Sequence, residues 1–268
     1  MRKFDWAERK ATDFNDIDPS KAIAILPTAA IEQHGPHLPV GTDTMIMQGM
    51  LERLKRNIPE DLDPYILPIQ AVGKSNEHLW ARGTLSLSAR EALAAWTAIG
   101  LSVARAGFRK IVIVNSHGGN LDLVSILTRE LRVQAGMLAV KCQWNSFGHP
   151  PDLYTPHELT FGIHGGDVET SLMLAFNPEC VVMSEARNFT SSAETSAIAP
   201  TGPLSVGWIA CDLNQEGTVG NALLATSEKG EATANHQIKG FIDLLKKLKV
   251  MEPPEASALL PIHGPMHS

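Results

Sequence analysis

The sequence has few cysteines, and those that it has are far apart. Only three occur among 268 residues, Cys142, Cys180 and Cys211, and no two form a CxxC pair. An odd count of widely spaced cysteines argues against a disulfide scaffold and against a zinc site built from thiolates. Reduced thiols inside a cytoplasmic protein are the simplest interpretation.

Long basic runs and long apolar runs are also missing. No stretch of Lys and Arg exceeds two residues, and the formal net charge is -6, so the basic patch of a nucleic-acid-binding protein is not expected. No apolar stretch approaches the roughly 20 residues that a membrane helix needs. The N-terminal residues, MRKFDWAERK, carry charges where a signal peptide has its apolar centre. We therefore predict a cytoplasmic location and neither a nucleic-acid nor a membrane partner.

The sequence does have the composition and the alternation of an α/β protein. Its apolar fraction of 44% and charged fraction of 19% are those of globular domains. Segments of helical period alternate with apolar runs, and the candidate strands are residues 22–27, 65–72, 111–114 and 137–144. This alternation predicts a three-layer α/β/α fold with a mostly parallel central sheet. We expect one domain, 1–268, with a disordered or extended tail, 252–268, whose His263 and His267 are not ligands.

Residue types that bind metals are concentrated directly after the first apolar run. The window 26–44, LPTAAIEQHGPHLPVGTDT, contains Glu32, His34, His37 and Asp43 among glycines and prolines that favour loops. In extended backbone Glu32 and His34 point to the same side, and Asp43 returns on the next turn. Such a set can chelate a divalent cation. Solvated polar groups on a turn are the alternative, and for His37 we predict a supporting or surface position.

Two further segments carry a candidate ligand next to a helix start. His117 closely follows the apolar run 111–114, and ligands collect at the carboxyl ends of strands in open α/β sheets. Glu169 lies near the first turn of the predicted helix 168–176, after the sequence HGGD. The alternatives are that His117 is only a turn residue and that Glu169 only opposes the helix dipole.

Together these groups form an oxygen- and imidazole-rich set without thiolate: Glu32, His34, Asp43, His117 and Glu169. The set suits Zn²⁺, Mn²⁺ or a mixed pair, and five groups fit two metals bridged by one carboxylate better than one closed site. Two metals about 3.5–4 Å apart hold a hydroxide between them and polarise a carbonyl, which is what amide hydrolysis needs. His164, at the end of a long irregular connection, is the candidate proton donor to the leaving nitrogen.

Candidate substrate-binding residues lie in loops that leave the predicted strands. They are Ser75, Glu77 and His78 in the loop 73–87, and Gly118. For Glu77 and His78 a surface position is an equal alternative. The connection 145–163 has a length typical of a lid over an active site. A hydrolase with a Ser or Cys nucleophile is not expected, because neither a GxSxG elbow nor a Cys beside a base occurs.

These motifs resemble the creatininase (creatinine amidohydrolase) family. The matching strings are, in order, LPTAAIEQHGPHLPVGTDT, GKSNEHLWARGTLSL, IVIVNSHGGN and HGGDVETS, which span residues 26–171. The resemblance implies a parallel sheet flanked by helices and a two-metal hydrolase that uses Zn²⁺ or Mn²⁺. It also implies cleavage of C–N bonds in small cyclic amides, formamides or peptide-like substrates, by a cytoplasmic homo-oligomer that is often a hexamer.

The resemblance also implies a role for each candidate residue. The implied metal ligands are Glu32, Asp43 and His117 at one metal, and His34, Asp43 and Glu169 at the other. His164 matches the family's catalytic histidine. In creatininase a Glu lies two residues after the histidine that matches His117, whereas this sequence has Gly119, which makes Glu169 more necessary.

The substrate and the type of bond stay open at this point. Creatininase closes tryptophans over its small planar ring, and the connection 145–163 contains none, so creatinine itself is not predicted as the substrate. The candidate substrates are then a different cyclic amide, a formamide or a short peptide. Two other functions are alternatives: hydrolysis of a lactone or a C–C bond in a sugar-derived ring, and binding of metal and a small molecule without hydrolysis.

Overall fold

A four-stranded parallel sheet forms the centre of the protein in the computed structural model, which describes residues 2–255. In chain order its strands are β1 (Ile23–Thr28), β2 (Tyr65–Ile66), β3 (Lys110–Asn115) and β4 (Leu138–Gln143). Their spatial order is β2-β1-β3-β4, so β1 and β3 lie side by side in the middle. Both central strands are buried at every position, which is typical of strands that are covered on both faces. The predicted parallel sheet is confirmed.

Helices cover both faces of this sheet. In chain order the helices are α1 (Thr42–Asn57), α2 (Ala89–Arg105), α3 (Leu121–Ala135), α4 (Pro156–Phe161), α5 (Asp167–Phe176), α6 (Ala210–Leu213) and α7 (Ser227–Val250), and the short α4 and α6 contribute to neither core beside the sheet. Ile23 and Ile25 of β1 pack in a core with α1, α5 and α7, whereas Ala24 and Leu26 pack in a second core with α2 and α3. Successive side chains of a strand point to opposite faces, so one strand supplies both cores. The predicted three-layer α/β/α architecture is confirmed.

The second strand is shorter than the sequence predicts. The apolar run 65–72 forms only two residues of regular strand, because Pro68 has no N–H for the ladder. The chain nevertheless stays beside β1, since the N–H groups of Leu67 and Gln70 donate to backbone carbonyls of that strand. A separate antiparallel pair, β5 (Asn188–Phe189) and β6 (Gly220–Asn221), lies outside this sheet.

The start of the first long helix lies inside the ligand-rich window. Helix α1 starts at Thr42, which puts Asp43 in its first turn. The predicted tail from 256 onward, with His263 and His267, lies outside the described residues. None of the described helices is both long and apolar enough to cross a membrane.

Candidate metal centre

Loops at the carboxyl ends of the two central strands bring the predicted ligands together. The loop after β1 folds back on itself, with the Glu32 N–H donating to the Val40 carbonyl (2.8 Å), and then enters α1 with Asp43. His117 lies two residues beyond β3, and the Asn115 side chain donates to the His117 carbonyl. Because β1 and β3 are neighbours, these segments meet at one edge of the sheet.

Five side chains form two groups that share one carboxylate. In the first group, His117 Nδ1 lies 3.2 Å from Glu32 Oε1 and 3.2 Å from Asp43 Oδ2. In the second group, His34 Nε2 lies 3.6 Å from Asp43 Oδ1 and 3.8 Å from Glu169 Oε2. All ligand atoms within a group lie within 4.8 Å of one another. Asp43 therefore presents one carboxylate oxygen to each group.

The spacing and the hydrogen bonding of these atoms fit cations. Two ligand atoms held tetrahedrally about 2.1 Å from one metal lie about 3.4 Å apart, close to the separations seen in both groups. Three atoms of these side chains, Glu32 Oε2, His34 Nε2 and Asp43 Oδ2, are buried and have no hydrogen-bond partner. A buried polar atom without a partner is costly, and a cation bound between the groups would remove that cost. The donor set thus fits two divalent ions.

Backbone carbonyls hold the two histidines in the orientation that metal binding requires. His34 Nδ1 lies 3.0 Å from the Glu32 carbonyl, and His117 Nε2 lies 3.0 Å from the Lys74 carbonyl, so each of these nitrogens donates its proton there. When either ring is neutral, its other nitrogen is free of hydrogen and faces the carboxylates. Histidines that bind metals are held in this way in many proteins.

The protonation of the site reflects its crowding with carboxylates. Burial by itself lowers the pKa of His34, but Asp43 and Glu169 outweigh burial and raise it to about 9. The pKa of His117 is also raised well above its usual value, because Glu32 and Asp43 outweigh burial. Burial raises the pKa of Glu169 to about 7. Without metals, these groups keep protons that cations must displace on binding.

His164 lies beside the first ligand group. Its Nε2 donates to the Gln33 carbonyl (2.7 Å), which leaves Nδ1 facing Glu32 Oε1 at 3.7 Å. Its ring packs against those of His34 and His78, with centroids 4.2 and 4.4 Å away. Burial and these two neighbours keep the pKa of His164 well below its usual value. The ring is therefore neutral and able to accept a proton at Nδ1.

A pocket of about 510 Å³ opens onto the site, with most of the predicted ligands in its wall. Of the predicted substrate-binding residues, Glu77, His78 and Gly118 line it, so the surface alternative for the first two is wrong. Ser75 does not line it. That residue is fully buried, with its Oγ 3.4 Å from His117 Nε2, and its position fits support of the histidine better than contact with a substrate.

The pocket is bordered by residues 200–208 rather than by the predicted lid. In the connection 145–163, the aromatic residues Phe147 and Tyr154 pack against α7. The lid prediction is wrong because burial of these rings draws the connection into the core. Of this stretch, only Ile163 is among the residues that line the pocket.

Trp208 and Lys74 are among the pocket residues that the sequence did not predict. Trp208 lines the pocket, and its indole N–H donates to the Pro200 carbonyl (2.7 Å), which ties the ends of 200–208 together. Lys74 also lines it, with Nζ 3.0 Å from Glu77 Oε2. The local signal that could have indicated Trp208 is a lone tryptophan in a stretch rich in Gly, Ser and Pro.

His37 lies behind the candidate metal ligands. Of the two positions predicted for it, supporting or surface, the structure shows the supporting one. It is fully buried and stacks on Phe189 at 5.3 Å. Its Nε2 lies 3.0 Å from the Gly165 carbonyl and 2.9 Å from Thr170 Oγ1, so it fixes the turn between His164 and α5. Burial lowers its pKa to about 4, which keeps the ring neutral.

The fold and the site together define an α/β protein with a buried, carboxylate- and imidazole-rich pocket at the ends of its parallel strands. The chain belongs to the creatininase family, because the family model described as creatinine amidohydrolase matches residues 7–245. It is a hydrolase of that family. The match confirms the resemblance to the creatininase family that was predicted from the sequence motifs.

Individual relatives and a solved structure agree with this placement. The chain is 29% identical over 244 residues to the mycofactocin precursor peptide peptidase of Mycolicibacterium smegmatis, covering 89% of this chain and 88% of the relative. It is 26% identical over 257 residues to the creatinine amidohydrolase of Pseudomonas putida, covering 90% and 94%. A manganese form of creatininase matches with a TM-score of 0.72 and 22% identity, over 92% of this chain and 98% of the other. The last similarity supports the fold alone.

Proposed function

We propose that the protein is a metal-dependent amidohydrolase that cleaves a C–N bond with the help of two divalent metals, Zn²⁺ and/or Mn²⁺. The observation that carries the proposal is the Asp43 carboxylate, which turns one oxygen to each of two ligand groups. A shared carboxylate of this kind would hold two cations close together. When bound, the pair supplies a Lewis acid for the scissile carbonyl and lowers the pKa of a water molecule.

The chain's own residues supply the proton transfer. His164 is neutral, with Nε2 occupied by the Gln33 carbonyl and Nδ1 turned toward Glu32 at the metal centre. Its Nδ1 can take the proton of the attacking water and deliver it to the leaving nitrogen, because a single positioned imidazole can serve as base and then as acid. The proposed ligands are those of the two groups described above, and His164 is the proposed catalytic residue.

The substrate class that the pocket fits best is an amide larger than a single small ring. Its volume of about 510 Å³ lies within the range of sites that enclose drug-sized molecules. Val206 and Trp208, together with Leu121 and Ile163, add apolar wall to a site that also has many charged residues. The similarity to the peptidase of M. smegmatis favours a peptide-like substrate. A cyclic amide or a formamide is also compatible with the proposal. Glu77, His78 and Gly118 are the proposed contacts to the substrate.

The test is metal analysis followed by an assay of both products. We expect about two Zn or Mn per chain, loss of activity on chelation, and recovery when either metal is restored. Incubation with short peptides, cyclic amides and formamides should release an acid and an amine, which mass spectrometry identifies together. Cleavage without an amine would indicate a lactone or C–C hydrolase. Bound metal without cleavage of any member of the panel would indicate a binding protein.

A further inference from the structure

Gln33 stands between the proposed ligands Glu32 and His34 in the chain, but it belongs to neither ligand group. Its side chain is buried, and both ends of its amide group are hydrogen-bonded. The amide nitrogen Nε2 donates to the Gly217 carbonyl, and the amide oxygen Oε1 accepts the N–H of Gly35 (3.0 Å). A carbonyl can only accept and a backbone N–H can only donate, so these two partners fix which end of the amide is nitrogen.

This orientation of the amide decides where His78 carries its proton. Gln33 Nε2 lies 2.8 Å from His78 Nδ1 and brings a hydrogen to that contact. His78 Nδ1 must therefore accept, which leaves the ring with a proton on Nε2 alone. Gln33 Nε2 also lies 3.2 Å from His164 Nε2, but the two nearer acceptors take both of its hydrogens. His164 gives its own proton to the Gln33 carbonyl.

The protonated nitrogen of His78 faces a proposed metal ligand. Nε2 lies 3.4 Å from Glu32 Oε1, the oxygen that also faces His117 and His164. The contact is longer than an ordinary hydrogen bond, as hydrogen bonds in active sites often are before ligands bind. Carboxylates that bind metals are oriented by hydrogen bonds of this kind, and loss of such a partner typically weakens metal binding 10- to 100-fold.

We propose that Gln33 is a positioning residue that acts through His78: its amide keeps the His78 proton on Nε2, and that N–H orients the Glu32 carboxylate for a metal. The inference rests on the proposed metal-dependent function. It also assigns the role of His78. Glu32, Glu77 and His78 offer ligand atoms within 4.8 Å of one another, which would suit a further metal. A nitrogen that carries a proton cannot bind a cation, however, so His78 is a donor and not a ligand.

Nitrogen NMR of the protein labelled with ¹⁵N-histidine distinguishes the two tautomers and needs no hydrolysis. We expect His78, assigned by the loss of its signals in His78→Gln, to carry its proton on Nε2 in the metal-free protein and to keep it when Zn²⁺ is added. Gln33→Met has no amide and should lose the preference for this tautomer, whereas Gln134→Met on α3 should preserve it. A proton on Nδ1 in the unchanged protein, or loss of the Nε2 proton on Zn²⁺ binding, would overturn the proposal.

Calorimetric titration with Zn²⁺ tests the effect on the metal centre. We expect Gln33→Met and His78→Phe each to weaken binding about 10- to 100-fold. His78→Gln should recover most of the affinity, because a glutamine amide can place an N–H near the position of the imidazole Nε2. Adding Gln33→Met to His78→Phe should cost little more, since Gln33 acts through His78.

Two outcomes of the titration contradict different claims. Equal losses of affinity in His78→Gln and His78→Phe, or losses that add fully in the double variant, would overturn the positioning role and leave the amidohydrolase proposal standing. Absence of bound metal in the unchanged protein would defeat the proposed function itself, and with it the role of Gln33 in orienting a metal ligand.

Discussion

Glu77 fills the space that a side chain at position 119 would need. A Cβ atom built on Gly119 overlaps Glu77 Oε1 and His117 Nε2, whereas a Cβ on the neighbouring Gly118 meets no atom within 4 Å. The glycine at 119 is the position at which the motif departs from creatininase. In this chain the missing side chain is what lets Glu77 approach the back of the His117 ring, with 3.7 Å between Oε1 and Nε2.

We expect Gly119→Ala to weaken metal binding about 10- to 100-fold, because the added methyl displaces His117 or its surroundings. Calorimetric titration of the metal-stripped protein with Zn²⁺ or Mn²⁺ measures this. Gly118→Ala is the control, since the structure offers its Cβ open space, and its metal affinity should match that of the unchanged protein. Equal metal affinity in the two variants would show that Gly119 does not protect the site.

Removal of the shared carboxylate should affect both metals, and removal of an unshared one only a single metal. We expect Asp43→Asn to bind neither ion tightly and to lose activity about 10³-fold. Glu169→Gln should keep the metal held by Glu32, Asp43 and His117 and lose the other. Elemental analysis after gel filtration gives the two stoichiometries. If Asp43→Asn retained two metals per chain, a carboxylate shared between the ions would be ruled out.

The sequence predicts those parts of the fold and site that depend on local pattern. The apolar runs ending before His117 and Glu32 indicated buried parallel strands, and their carboxyl ends do bring these residues together. Glu169 was placed at a helix start by its motif, and α5 begins at Asp167. The single domain, the cytoplasmic location and the hexamer stay predictions, which light scattering and fractionation would check.

What the sequence did not predict depends on contacts between distant segments. The connection 145–163 looked like a lid by its length, but only the tertiary structure shows Tyr154 bonded to Thr233 of α7. Trp208 enters the pocket wall from a stretch with no helical or strand period. Ser75 has the residue type of a substrate contact, and its burial behind His117 follows from how the loop 73–87 packs. Apart from the lone tryptophan at 208, none of these relations has a local signature.

The stability of the metal-free protein should fall as pH rises above neutrality. The pKa of folded His34 is about 9, against an ordinary value of 6.5. A raised pKa gives stability that is fully present below pH 6.5 and is lost as pH rises through 9, by up to about 3 kcal/mol. Urea denaturation of the chelated protein at pH 6, 7, 8 and 9 measures it.

The metal-loaded protein provides the contrast for this pH series. Cations take the place of the protons, and histidine ligands must be deprotonated to bind them, so its stability should hold or increase between pH 6.5 and 9. His34→Gln without metal should show a smaller decline than the unchanged chain. Parallel pH profiles for the chelated and loaded protein would contradict the protonation assigned to the site.

Glu158 should contribute strongly to stability although it does not touch the metal centre. It is 3% exposed, and its carboxylate accepts the N–H of Asp167 (2.7 Å) and of Asn221 (2.9 Å), joining α4 to α5 and β6. Glu158→Ala removes the acceptor of one buried and one partly buried donor and should lower the free energy of unfolding by about 3 kcal/mol. The exposed Glu179→Ala should change it by less than about 0.5 kcal/mol. Chemical denaturation of both variants distinguishes these outcomes, and similar values would contradict the structural role.

Trp208 should govern substrate binding more than the chemical step. Its N–H bond to the Pro200 carbonyl closes the segment 200–208 at the pocket rim. Trp208→Phe keeps an aromatic wall but frees this segment, so we expect KM to rise about fivefold with kcat changed much less. Leu204→Ala alters the same segment at a side chain that is 77% exposed and does not line the pocket, and its KM should not change. A fall in kcat without a rise in KM would instead place Trp208 at the reacting bond.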